Sequence, residues 1–231
     1  MANRPDSRKG RFEGIRERVR EGRWETLGGM WVEADCNLPD GESLARQMLV
    51  GTRYFEREFG QETRVVWLPD TYGFTWVLPT LMAAAGLPYF VTHKLSWSDT
   101  NRIPHDTFRW RGPDGGEVLA HFVCTPSLNA FEKTTYYGQL LPSIARGAWT
   151  RLQDRHLQNE LLVASGWGDG GGGPTIDMVE DGRRLKQLPG FPRRATRCRS
   201  GLPRRGVVRR LRSELCWEQS TRAPRSTRAG D

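Results

Sequence analysis

Apolar runs alternate with amphipathic stretches along most of this chain. Val65-Val66-Trp67-Leu68 is a continuous apolar run and predicts a strand covered on both faces. Pro69 cannot extend a central strand, so the chain leaves the sheet there, with Asp70 at the exit and Gly73 in the following turn. Phe12, Ile15 and Val19 recur with helical spacing and predict a helix over 11–23. Leu44, Met48 and Phe55 predict a second over 42–59, stopped by Gly60. Further helices are predicted over 75–85, 137–156 and 176–186, and further strands over 28–35, 89–92 and 161–164. Residues 107–111 and 118–123 flank Gly112-Pro113-Asp114-Gly115-Gly116, a hairpin pattern. Strands alternating with helices from 24 to 187 argue for an α/β fold with a parallel sheet.

Charge changes this picture at one place. The 231 residues carry a formal net charge of +8. Residues 191–231 hold 12 of the 35 Lys+Arg but 3 of the 27 Asp+Glu, which leaves 1–190 close to neutral at −1. The basic character therefore belongs to the tail, and it does not make the body a nucleic-acid-binding protein. The uncharged run 72–92 is punctuated by Gly73, Pro79, Gly86 and Pro88, so it predicts helix–turn–strand rather than a membrane span. The first nine residues hold no apolar leader, and no secretory signal is read from them. Cys36, Cys124, Cys198 and Cys216 form no CxxC pair, which suits a reducing compartment and a cytoplasmic location.

Asp35, Asp70, Lys94 and Asp169 each follow a predicted strand, and parallel strands would bring all four to one rim. Taken singly, each aspartate could equally cap a helix. Two strand-end carboxylates beside Trp31, Trp67, Trp97 and Trp167 fit glycoside hydrolysis, one as nucleophile and one as general acid/base. The same aspartates could bind a hard cation. Gly170 to Gly173 lack the ending of a phosphate-binding P-loop; they imply positive φ or close approach by a ligand, or else a flexible linker. His93, His105, His121 and His156 show no local zinc spacing, and His121 reads as an ordinary strand residue.

Several long segments resemble one known family. They are Gly28-Gly29-Met30-Trp31-Val32-Glu33-Ala34-Asp35, Leu38-Pro39-Asp40-Gly41-Glu42-Ser43-Leu44, Trp67-Leu68-Pro69-Asp70-Thr71-Tyr72-Gly73-Phe74, His93-Lys94-Leu95-Ser96-Trp97 and Gly168-Asp169-Gly170-Gly171-Gly172-Gly173-Pro174-Thr175. In this order they resemble the N-terminal catalytic domain of glycoside hydrolase family 38, nearest to its bacterial and cytosolic α-mannosidase branch. The resemblance implies a seven-stranded (β/α) barrel, a retaining mechanism on terminal α-mannosides, and a divalent cation, zinc in most members. It implies that Asp70 is the nucleophile and a metal ligand, that Asp169 supplies the general acid/base, and that Asp35, Lys94 and Trp97 contact sugar.

The family's His-x-His-x-Asp segment and its downstream metal histidine have no counterpart here. The expectation is an incomplete barrel over 1–190, a partial and inactive catalytic domain whose only metal ligand is Asp70. Residues 191–231 are expected to be a disordered Arg-rich tail or out-of-frame sequence. The expected partner is an α-mannoside oligosaccharide, with no membrane, nucleic acid not favoured, and oligomerisation left open. The alternative is a non-catalytic carbohydrate- or nucleic-acid-binding protein that uses the fold fragment and the basic tail, with Trp217 for base stacking.

Overall fold

A computed structural model describes residues 8–128, 133–156, 161–168, 172–185 and 187–189. Its elements are α1 (Arg8–Arg20), α2 (Gly41–Phe59), β1 (Val65–Trp67), α3 (Leu78–Ala84), β2 (Tyr89–Thr92), a 3-10 turn (Lys94–Trp97), β3 (Thr107–Arg111), β4 (Glu117–Phe122), α4 (Pro142–Arg151) and α5 (Ile176–Leu185). The four strands form one sheet in the order β1-β2-β4-β3. β1, β2 and β4 run parallel, and β3 returns antiparallel to β4 at the edge. This is a mixed α/β sheet; the described residues do not close into a barrel. The predicted tail lies outside the described residues.

Period-2 alternation sorts the strand side chains onto two faces. Val66, Phe90, Val118 and Ala120 join Leu44 and Met48 of α2 and Leu78 and Met82 of α3 in the main core. Val65, Val91 and Val123 form a second cluster with Trp67, Tyr89, Leu162 and Ala164. Phe90 anchors the main core, its ring centroid 4.9 Å from Phe74 and 5.2 Å from Trp110 in edge-on contacts.

α2 is bounded as its sequence demands. The Asp40 carboxylate accepts the Ser43 N–H at 2.7 Å, and Gly60 closes the helix at φ 62°. Gly51 lets α2 press on the preceding loop: a Cβ there would lie 2.8 Å from the carbonyl oxygens of both Gly29 and Met30. Buried Asp154, just past α4, accepts the N–H groups of Asp106 at 2.8 Å and Thr107 at 3.2 Å, fixing where β3 begins.

Three expected elements differ. Residues 28–35 form no strand; a single parallel bridge joins Gly28 to Val66. Gly28 and Gly29 adopt φ of 130° and 68°, and the Trp31 N–H turns to the Gln47 carbonyl of α2 at 2.9 Å. Residues 161–164 also stay outside the sheet, since the Ala164 N–H goes to the Thr125 hydroxyl at 3.1 Å. The helix expected over 137–156 spans Pro142–Arg151, because proline's fixed φ and missing N–H suit a first helical turn.

Candidate active site

The site is built where β1 and β2 end. The Leu68 N–H bonds the Val91 carbonyl at 3.0 Å, Pro69 has no N–H to give, and Asp70 emerges with its side chain 32% exposed. One strand over, β2 ends at Thr92 and delivers His93 and Lys94. Parallel pairing of β1 with β2, Trp67 opposite Val91, is what brings Asp70 and these two residues together.

Lys94 Nζ donates to Asp70 Oδ1. The ammonium also lies 4.6 Å from the Tyr72 ring centroid and 5.0 Å from that of Trp97, so two aromatic faces wall the charge. Burial works against the Lys94 charge, but the hydrogen bond and the Asp70 charge outweigh it and raise its pKa. The Trp97 indole N–H donates to the Thr134 carbonyl at 2.9 Å, which fixes that wall.

His93 Nε2 sits 3.8 Å from Asp70 Oδ1. Its ring is buried, and neither ring nitrogen has a hydrogen-bond partner. Burial, helped by the Lys94 charge, pushes its pKa down to about 4, so the imidazole is neutral at pH 7. The Tyr136 ring packs over it at 5.2 Å. Gly168 in turn presses on the tyrosines: a Cβ there would lie 2.8 Å from Tyr136 Oη and overlap the Tyr137 ring. Gly168, Tyr136, His93 and Asp70 thus form a contiguous line, and Gly168 immediately precedes Asp169. Asp169 itself lies outside the described residues, as do Gly170 and Gly171.

Of the sequence candidates, Asp70, Lys94 and Trp97 meet. Asp35 does not join them through any hydrogen bond. Its Oδ1 accepts the N–H groups of Asn37 at 2.7 Å and Leu38 at 2.8 Å, closing its own turn, and those bonds lower its pKa. The carboxylate that reaches the Asp70 segment is Glu33, which accepts the Asp70 backbone N–H. Sequence reasoning passed over Glu33 and His93; the available signal was that each sits inside a motif already singled out. Trp67 packs into the second core cluster instead of facing the rim, and His121 is the buried strand residue the sequence suggested, 2.8 Å from the Thr107 hydroxyl.

A catalytic zinc takes three protein ligands. No group of three His, Cys, Asp or Glu side chains among the described residues could hold a metal ion. Asp70 and His93 are two donors, and one Asp70 oxygen is already engaged by Lys94. The described residues alone do not fit a complete metal shell. Chemically, the arrangement offers a half-exposed carboxylate oriented by a cation, between aromatic faces.

Comparison with known proteins gives a consistent answer. The model for the glycosyl hydrolases family 38 N-terminal domain matches residues 5–199. Alpha-mannosidase G of Dictyostelium discoideum is 41% identical over 182 residues, covering 79% of this chain and 16% of that protein. Alpha-mannosidase 2C1 of Homo sapiens is 39% identical over 189 residues, covering 80% of this chain and 17% of that protein. The chain spans less than a fifth of the length of either relative. Among solved structures, an alpha-mannosidase from Enterococcus faecalis V583 superposes with a TM-score of 0.56 at 19% identity, covering 90% of this chain and 23% of that one, a likeness of fold.

Proposed function

The chain belongs to glycoside hydrolase family 38, and on that premise we propose that it carries the nucleophile half of a retaining α-mannosidase site acting on terminal α-mannosides. In this reading its four-stranded sheet is a sector of the seven-stranded barrel, and residues 1–190 are part of the catalytic domain. The single observation that carries the proposal is Asp70: a carboxylate at the mouth of β1, with Oδ1 on Lys94 and its side chain 32% exposed.

The chemistry follows from two carboxyl groups. The Asp70 carboxylate attacks the anomeric carbon while Asp169 gives its proton to the departing glycosidic oxygen. The C–O bond to the leaving group breaks as the bond to Asp70 forms. Asp169, now a carboxylate, takes a proton from water, whose oxygen attacks the same carbon and releases Asp70. Lys94 holds one oxygen of Asp70 in place during both steps. Neutral His93 and Tyr136 close the floor behind it. A divalent cation would be held in part by Asp70, and the described residues do not complete its shell. We place the protein in the cytoplasm.

Little or no turnover is expected of this chain, because Asp70 is the one metal ligand of the family that its sequence matches and no three side chains among the described residues could hold a metal ion. The test is calorimetry with methyl α-mannoside alongside an aryl α-mannoside hydrolysis assay, for the wild type and Asp70→Asn. Binding without turnover, lost in the variant, is expected. Chelator-sensitive hydrolysis by the wild type would overturn the inactivity. Wild-type binding that survives Asp70→Asn would remove Asp70 from the site, and no mannoside binding at all would remove the function.

A further inference from the structure

Backbone donors at the exit of a strand have to be satisfied by something. At the end of β1 the Leu68 N–H is taken by Val91, and Pro69 offers none. The next donor, the Asp70 N–H, is taken by Glu33 Oε1. The Thr71 hydroxyl lies 3.3 Å from the same oxygen and 3.5 Å from the Ala34 carbonyl. Glu33 stands 37 residues away in sequence, on a loop that is itself fixed: the Trp31 N–H is on the Gln47 carbonyl at 2.9 Å, and the Val32 N–H is on Gln47 Oε1 at 3.0 Å. The other end of the loop is tied to the far side of the Asp70 turn by Asn37 Nδ2, which donates to the Tyr72 carbonyl at 3.1 Å. Asp70 is therefore gripped twice, by Glu33 through its backbone and by Lys94 through its carboxylate.

We propose that Glu33 is the positioning residue of the Asp70 carboxylate. A bond from an N–H to an ionised carboxylate is stronger than one to a neutral acceptor. It fixes the φ/ψ of Asp70 from behind, and this fixes which way the side chain leaves the strand. Asp35, two residues on, does not share the role, since its oxygen is spent on its own turn. Glu33 acts through Asp70 and touches no sugar. The assignment rests on the reading of Asp70 as the nucleophile only for its consequence in ligand binding.

The experiment is ¹H–¹⁵N NMR of the full chain as wild type, Glu33→Gln, Glu33→Ala and Asp35→Asn, followed by mannoside titration. Glu33→Gln is expected to move the Asp70 amide proton upfield and to weaken the Asp70–Lys94 side-chain contact seen by NOE. Glu33→Ala abolishes that contact, and Asp35→Asn leaves the Asp70 amide where it was. Affinity for methyl α-mannoside is expected to fall about tenfold in Glu33→Ala, the effect of one hydrogen bond to a charged group, and to recover in part in Glu33→Gln, which keeps an acceptor. An Asp70 amide unmoved by Glu33→Gln, an intact Asp70–Lys94 contact in Glu33→Ala, or unchanged affinity in a wild type that binds each overturns the proposal. A wild type that binds no mannoside sinks the hydrolase reading instead, and the amide and the NOE still decide the part of Glu33.

Discussion

Lys94 Nζ hydrogen-bonds Asp70 Oδ1 while its own charge lies between the rings of Tyr72 and Trp97. Its side chain is 12% exposed, so this cation is largely shielded from water where it meets Asp70. Lys94→Met keeps the stem but leaves the carboxylate without its partner. Unfolding free energy is expected to drop by about 1.5–3 kcal/mol, the range for hydrogen bonds to charged groups. Urea denaturation of Lys94→Met beside Asp70→Asn checks it: the asparagine still offers Lys94 an acceptor and costs less.

Gly51 gives a prediction in which two effects oppose. Alanine is favoured over glycine inside a helix by about 0.8–1 kcal/mol. A Cβ at position 51, however, would lie 2.8 Å from two carbonyl oxygens of the backbone at Gly29 and Met30, which cannot swing away as a side chain can. Overpacking of this kind costs about 1–3 kcal/mol. Gly51→Ala is expected to be net destabilising, with a lower urea midpoint. Gly14→Ala on α1, where nothing lies within 4 Å, is expected to be neutral or stabilising.

Gly168→Ala is expected to act on the site through the tyrosines. The added methyl overlaps the Tyr137 ring and crowds Tyr136 Oη, so the Tyr136–His93 stack has to open. Near-UV circular dichroism should report the altered tyrosine environment, and mannoside affinity should fall. A variant with wild-type signal and affinity would show that this close approach does not shape the site.

Two buried histidines set an acid limit on stability. Burial holds both His93 and His121 at about 4, below the ordinary 6.5. As pH falls through 6.5 the unfolded chain takes up these protons and the folded chain does not, so the folded state loses ground until about pH 4. Each site contributes at most about 3 kcal/mol over that window. His121→Asn is expected to flatten the fall of the urea midpoint between pH 6.5 and 4, while its lost bond to Thr107 lowers stability across the whole range.

Much of the fold was legible along the chain because it is set by short-range pattern. The apolar runs at Val65 and Tyr89 became parallel strands, Gly112 to Gly116 became a hairpin turn, and Gly60 ended α2 in the left-handed region that glycine tolerates. The misplaced elements failed for a physical reason. Residues 28–35 are apolar enough for a strand, but two glycines at positive φ and a nearby helix carbonyl offered their N–H groups other partners. Periodicity records which face a residue prefers, not which acceptor its backbone meets.

The sequence by itself determined that Asp70 stands at the end of a buried strand, because an apolar run followed by Pro69 has few other outcomes. It also placed Lys94 and Trp97 after the next strand. Only the tertiary structure decided what surrounds that carboxylate: Lys94 on one oxygen, Glu33 on its backbone N–H, and a neutral His93 behind it. These contacts join residues 23 to 37 positions apart, and each depends on how β1, β2 and the 28–37 loop pack. The same packing left Asp35 to its own turn, where its Oδ1 accepts the N–H groups of Asn37 and Leu38.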